Sequence, residues 1–500
     1  MRPTLRITLV AAVGVVAAAL AIWLFPRAFA IVALDNRLTQ STALAKADSF
    51  FAAHGLADSA ARRAVQFGAD REALVFVDLS VGGADSVKAL VAGKDVALYS
   101  WSVRAFAPGQ VREAAVEFAP DGRVIGFRRK FADADTIPGV SEDSATALAR
   151  TVLWDWLGLS LDRWKVSATS YETKKPSERI DRTVTFERTD RMVGDAPIRL
   201  DVVIAGNTPS LARPYLHVPE SFTRRYAEMR SSNDLLALFA TVGVVLLMGL
   251  GAWTIRRFSH HGLIRWQPAI GAGAVIGGFL TAAGLNSVEL GWYGYDTATP
   301  EGIFQAMNLA GALAGGVMMG GLIALTLAAA EAASRTAFPQ HTDWWKLWQA
   351  RGTREVAAQV GGGYVVAAIA LAYVTSFYLI TRSLFGWWTP TEMMDDPNLI
   401  ATAAPWINGI AISLQAGVWE EALFRALPLS LLSLWVGKRA TRHWWMAGGI
   451  VATAIVFGFA HANYESWPAY SRGVEIFLDA CFWGVLFVRF GMLVVVLAHF

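Results

Sequence analysis

Cysteine is almost missing from this chain of 500 residues: Cys481 stands alone, inside an apolar run. No intrachain disulfide, cysteine-rich metal site or CxxC redox pair can therefore form. Charge is scarce as well. Asp, Glu, Lys and Arg make up 17% of the residues, against about 25% in an ordinary soluble protein. The formal net charge of +3, with no long basic run, argues against a nucleic-acid partner. Hydrolase signatures are missing too. There is no HExxH zinc helix, no GxSxG nucleophile elbow and no GxGD motif, which argues against a serine nucleophile and an aspartic dyad.

Long apolar runs fill the space that charge leaves. Hydrophobic residues make up 54% of the chain, the composition of a polytopic membrane protein. The first run, 7–26, follows the basic start MRPTLR. It is long enough for a hydrocarbon core of ~30 Å, which takes about 20 residues. Ala28-Phe29-Ala30 resembles a signal-peptide cleavage site, but the run exceeds a signal core, so an anchor is the preferred reading. Either reading carries the following segment across the membrane. Apolar runs return at 235–255, 266–288, 302–330, 356–381, 397–419 and 444–464. A further run, 473–488, contains Glu475 and Asp479, and a last one begins at Phe490. Tryptophans such as Trp253, Trp266, Trp387, Trp388, Trp444 and Trp445 cluster at run ends, as in an interfacial aromatic belt.

The loops between runs alternate in charge. Those at 254–265, 335–354 and 437–443 are basic; those at 288–302 and 388–398 are acidic or neutral. The positive-inside rule then places the amino terminus and the basic loops in the cytoplasm. Residues 33–232 fall on the other side, and their composition suits water. Charges of both signs are interspersed, and 111–131 and 165–190 read as strand–turn–strand hairpins. Helix-like stretches at 43–56 and 144–159 precede the two hairpins, and both end in Gly-Leu. An α+β domain with a weak internal duplication is expected, faintly resembling small repeated PepSY-type modules. It carries no catalytic constellation, so binding or regulation is its expected role. In the run 302–330, Gly311/Gly315 and Gly316/Gly320 form small-xxx-small patterns, read as helix-packing surfaces.

The chemistry lies in the last hundred residues. The stretch VWEEALFRALP (418–428) puts Glu420, Glu421 and Arg425 among apolar neighbours. A single charge at the centre of a membrane helix costs ~2.5–3.5 kcal/mol, so these three need partners. On a helix Glu421 and Arg425 share a face at i,i+4. Glu420 is rotated from Glu421 by ~100° and is freer to act. Pro428 is expected to kink or end the helix nearby. The next run supplies Phe457 and His461, and the last supplies His499. Buried carboxylate plus imidazole is general-base chemistry: Glu420 and His461 hold a water, and a second histidine donates to an oxyanion. The same groups suit a zinc site with an open position, which would use Glu420, His461 and His499.

Glu420-Glu421-x-x-x-Arg425, then Phe457-x-x-x-His461, then His499 resembles the three ordered motifs of the CPBP family, which comprises CAAX prenyl proteases and bacteriocin-processing (Abi) enzymes. The resemblance covers roughly 355–500. It implies that Glu420 and His461 activate water, that Glu421 and Arg425 support the site, and that His499 serves the oxyanion. It also implies an Asn or Asp four residues after His499. The sequence stops at Phe500, so a chain cut at its carboxyl end is expected. The family is commonly described as metallo-dependent, although a glutamate-activated water needs no metal.

The fold expected is an all-α polytopic membrane bundle of about eight or nine transmembrane helices, with an extracytoplasmic α+β domain inserted after the first. Its parts are an anchor (1–32), the α+β domain (33–232), accessory membrane helices (233–354) and a CPBP/Abi-like catalytic domain (355–500). The function expected is intramembrane endopeptidase action on a membrane-associated protein or peptide, in a bacterial inner membrane. No cofactor beyond a conceivable zinc is implied. A catalytically inactive immunity or scaffold protein is the alternative. A transporter ranks last, because the ionisable residues gather in one half instead of recurring in an inverted repeat.

Overall fold

The computed structural model describes residues 3–93, 96–347, 349–388 and 396–500. Most of the acidic loop read at 388–398 therefore lies outside the described residues. Helix α1 (Pro3–Ala28) leads to α2 (Gln40–His54), whose first turn is capped by the Thr39 side chain. Strand β1 (Arg62–Ala69) follows, then α3 (Arg71–Phe76), a π-helical turn (Val77–Gly82) and α4 (Gly83–Ala92). Next come β2 (Tyr99–Phe106), β3 (Glu113–Phe118), β4 (Val124–Lys130) and α5 (Glu142–Thr151). Strands β5 (Trp164–Lys174), β6 (Arg179–Val193), β7 (Ala196–Ala205) and β8 (Thr208–Leu216) complete the domain.

The strands form one eight-stranded sheet in the order β1-β2-β3-β4-β8-β7-β6-β5, with every neighbouring pair antiparallel. The order is a palindrome of two four-stranded meanders, each preceded by a helix (α2 or α5), which meet at β4 and β8. Gly55 and Gly158, which follow those helical stretches, take left-handed φ values of 59° and 65°, a conformation that costs glycine nothing. Alternation along the strands sorts the faces. Ile198, Leu200, Val202 and Ile204 of β7 turn inward with Phe51, Trp101, Phe118 and Phe186. Burying each such side chain is worth ~1.5–3 kcal/mol.

The remaining helices form the bundle: α6 (Glu220–Ser259), α7 (Trp266–Asn286), α8 (Val288–Gly291), α9 (Glu301–Ala337) and α10 (Arg354–Phe385). After them come α11 (Pro405–Gln415), α12 (Leu427–Val436), α13 (Arg442–Ala460), α14 (Ser471–Phe490) and α15 (Met492–His499). Among the described residues six helices are long and apolar enough to cross a membrane: α1, α6, α7 with α8, α9, α10 and α13. This is an integral membrane protein with an inserted α+β domain. The expectation of about eight or nine spans also included the runs 397–419 and 473–488 and the one that begins at Phe490. In the structure these regions fall in 405–436 and 471–499. Those helices carry Glu420, Glu421 and Arg425, and Arg472, Glu475, Asp479 and Arg489.

Glycine lets α7 and α9 approach closely. A Cβ on Gly277 of α7 would lie 2.6 Å from the Gly316 carbonyl oxygen of α9, so only hydrogen fits. Gly320 is equally crowded, by α7 backbone, but Gly311 and Gly315 face open space. Only the second of the two expected small-residue pairs packs a helix.

The helix ends nearest the sheet are tied to it by polar contacts. Arg104 of β2 donates to the carbonyls of Tyr293 (2.8 Å) and Tyr295 (2.7 Å), in the turn between α8 and α9. The Phe67 amide of β1 donates to Asn398 Oδ1 at 3.0 Å, and the Trp388 indole donates to Asp78. Apolar cores cross the junction too. Trp388 and Ala401 belong to the core of the sheet domain, and Trp292 and Tyr295 pack on Ala64 and Phe106.

Candidate active site

The helix that carries the glutamate pair is not wound as the sequence implied. α11 does not stop at Gln415: residues 416–420 and 422–426 continue as π-helical turns and pass directly into α12. Hydrogen bonding from i to i+5 widens a helix, and such turns concentrate at functional sites. The 3.6-residue rotation assumed between Glu420 and Glu421 therefore does not hold here. Pro428 does not end the helix: it lies two residues after the second π-helical turn, and α12 continues to Val436. The wide turn rests on α15. A Cβ on Gly417 would meet the Phe500 amide nitrogen and the Val496 carbonyl oxygen at 3.2 Å.

Four of the six residues singled out from the sequence, Glu420, Glu421, Arg425 and His499, meet through polar contacts, and Phe457 and His461 join them through ring contacts. Glu421 is fully buried, and its Oε1 lies 3.1 Å from Arg425 Nη1, though out of hydrogen-bond alignment. The same oxygen lies 2.9 Å from Nδ1 of His499. The other imidazole nitrogen, Nε2, faces Glu420 Oε2 at 3.7 Å. The Arg425 guanidinium stacks 3.8 Å from the centre of the Phe457 ring, which offsets part of the cost of burying it. Phe457 lies 4.8 Å from the His461 ring and 6.3 Å from that of His499, so one aromatic side chain separates the two imidazoles.

His461 follows the last turn of α13 and its Nδ1 lies 2.8 Å from the Phe457 carbonyl oxygen. A carbonyl only accepts, so that nitrogen carries the proton and Nε2 keeps its lone pair. By the same logic the Glu421 carboxylate accepts a hydrogen bond from Nδ1–H of His499, which leaves Nε2 turned to Glu420. The segment after His461 is fixed from outside the motif. The backbones of Trp388 and Trp467 exchange hydrogen bonds of 2.7 and 2.8 Å. Asn233 of α6, completely buried, donates to the carbonyls of Ser466 (3.1 Å) and Ala469 (3.3 Å).

Sequence reasoning missed several members. Trp483 of α14 stacks 5.0 Å from His499, and its buried indole N–H makes no hydrogen bond among the described residues. Arg472 pairs with Glu475 at 2.6 Å, and it also donates to the Tyr378 hydroxyl of α10 at 2.7 Å. Tyr373 of the same helix donates to the Glu475 carbonyl at 2.8 Å. No local pattern signals contacts across ninety-odd positions of sequence.

Zinc needs three or four donors converging on one point at ~2.0–2.3 Å. Among the described residues no group of three His, Cys, Asp or Glu side chains is disposed to hold a metal. The set of Glu420, His461 and His499 does not fit that ion as arranged here.

Comparison with known proteins agrees with the motifs. Residues 402–500 match the family described as type II CAAX prenyl endopeptidase Rce1-like. That is the CAAX-protease family read from the three motifs, and the match takes in all six residues discussed above. The sporulation-killing factor biosynthesis protein SkfC of Bacillus subtilis (strain 168) is 33% identical over 99 residues, which are 19% of this chain and 17% of SkfC. The chain thus spans about a sixth of the length of that relative. No solved structure matches.

Proposed function

We propose that this protein is an intramembrane endopeptidase that hydrolyses a peptide bond of a membrane-associated peptide or protein. The observation that carries the reading is the meeting of Glu420, Glu421, Arg425 and His499, from two separate chain segments, inside an apolar bundle. Ionisable groups there are costly, so a functional role is the default. The Rce1-like match over the same residues supports a protease.

In this reading Glu420 and the free Nε2 of His461 share one water. As the water oxygen bonds to the scissile carbonyl carbon, its proton passes to Glu420. The carbonyl oxygen becomes an oxyanion, which His499, in its doubly protonated form, receives by a hydrogen bond from Nε2–H while Nδ1–H stays on Glu421. Collapse of that intermediate breaks the C–N bond, and the proton held by Glu420 passes to the leaving amine. Glu421 and Arg425 do no chemistry; they hold the ring of His499 in position. No step passes through a metal ion. The charge pattern of the loops supports a bacterial inner membrane with the sheet domain on the side away from the cytoplasm.

The test compares peptide products in native membranes by mass spectrometry for the wild type and Glu420→Gln, with insertion and abundance checked in parallel. Products should disappear in the variant while the protein still accumulates. The same products from both would end the proposal and leave Glu420 as a structural charge.

A further inference from the structure

The sheet domain holds a cavity of about 620 Å³, the size of an ordinary ligand pocket. It opens where the two meanders meet. The β4–β8 ladder contains only two residue pairs, Phe127↔Ala212 and Arg128↔Leu211, and Pro214 has no N–H with which to extend it. One wall is apolar, from Leu159, Trp164 and Ile198. The charged part of the lining is Arg71, Arg123, Arg128 and Arg213 against Asp70 and Glu117. Part of the cationic excess is offset, since Arg123 faces Asp121 at 2.8 Å and Arg128 faces Glu113 at 3.6 Å. Asp70 caps α3, accepting from the Ala73 amide at 3.1 Å. Burial holds the Glu117 carboxyl above its usual range, against the pull of Arg213 and Arg128.

The cavity also reaches the membrane module. Tyr293, from the turn between α8 and α9, lines it. Arg71 lies 3.8 Å from Glu465, in the segment that follows His461, and Tyr226 of α6 reaches the same carboxylate.

We propose that this cavity is a second binding site, taking an extended peptide segment with apolar side chains and a carboxylate. Its occupant is the part of the substrate outside the bilayer, an assignment that rests on the protease reading above. The interrupted strand seam supplies backbone partners for an extended chain. The guanidinia take the carboxylate, and the apolar wall takes the side chains. A carboxylate on Arg71 competes with Glu465 and so is felt at the segment carrying His461.

The test uses the full chain in lipid nanodiscs, as Glu420→Gln to prevent turnover. The probe is a fluorescent pool of short Leu-rich peptides with free carboxyl ends, against the same pool amidated. The free acids should bind more tightly than the amides by roughly tenfold or more, the effect of one charge-assisted hydrogen bond. Arg213→Gln should erase that preference and Arg213→Lys should restore most of it. Equal binding of the two pools, no binding, or a preference unaffected by Arg213→Gln overturns the proposal. The two readings fail separately. Arg213-dependent binding together with unchanged products from Glu420→Gln membranes removes the protease and keeps the site. Products lost in Glu420→Gln without Arg213-dependent binding do the reverse.

Discussion

Replacing Glu421 by Gln keeps the shape of the side chain and removes its charge. Glu421 is 0% exposed and its partner Arg425 2% exposed, so the guanidinium is left buried and uncompensated. Breaking a buried pair from one side costs about 3–5 kcal/mol. The stacking of Arg425 on Phe457 is present before and after the change, so it offsets none of this. At 1.36 kcal/mol per decade, the unfolding equilibrium should move by roughly two to four decades. Reversible unfolding in mixed detergent micelles measures that shift. Arg425→Met alone should cost a similar amount, because it strands the carboxylate. The double variant should recover most of that loss, since no uncompensated charge is left buried. Both forms that carry Glu421→Gln should lose proteolysis, because His499 loses the anion that orients it. A Glu421→Gln protein within about 0.5 kcal/mol of the wild type, or strictly additive costs in the double variant, would refute the reasoning.

Gly417→Ala should push α15 away from the wide turn and cost about 1–3 kcal/mol of overpacking. Processing should fall while insertion stays normal, and Gly409→Ala, which meets nothing within 4 Å, should be silent in the same assay. Asn233→Leu leaves the carbonyls of Ser466 and Ala469 without their donor, at about 1–3 kcal/mol for each group left unsatisfied. It should lower both melting temperature and turnover, because the freed segment begins at His461. Glu117→Gln should raise the thermal stability of the protein at neutral pH. The folded carboxyl titrates above its ordinary 4.5, so its stabilising share is full below that pH and is lost as pH rises through the folded value. Melting curves from pH 4 to 8 should therefore slope less steeply in the variant.

Residue types and their order were enough to find the chemistry. Glu420, Glu421, Arg425, His461 and His499 stand out because charge among apolar neighbours is expensive, and that is visible without coordinates. The hairpins at 111–131 and 165–190 were legible for a similar reason: alternation and turn residues are local. What stayed hidden depends on winding and on distance. Nothing in 416–426 announces i to i+5 bonding, which is stabilised here by α15 lying against Gly417. Trp483 and Tyr378 look like ordinary lipid-facing aromatics until their helices are placed. Gly311 and Gly316 have identical local patterns, yet only Gly316 meets a neighbouring backbone. Which face a helix turns inward is decided by its partners.

The segment that matches the family, 402–500, has no private interior. Trp388 and Ala401, at its threshold, are buried in the sheet domain's own core, and Asn233 reaches in from α6 to hold the turn after His461. Excising it would strand aromatic surface and orphan carbonyls on the side nearest the sheet. Swapping it between relatives would do the same. The protein is therefore indivisible in a practical sense: its inheritance is modular, its folding is not. Truncations intended to isolate the hydrolytic part should aggregate, and cuts should be sought within the sheet domain's exposed hairpin turns, such as the one joining β5 to β6.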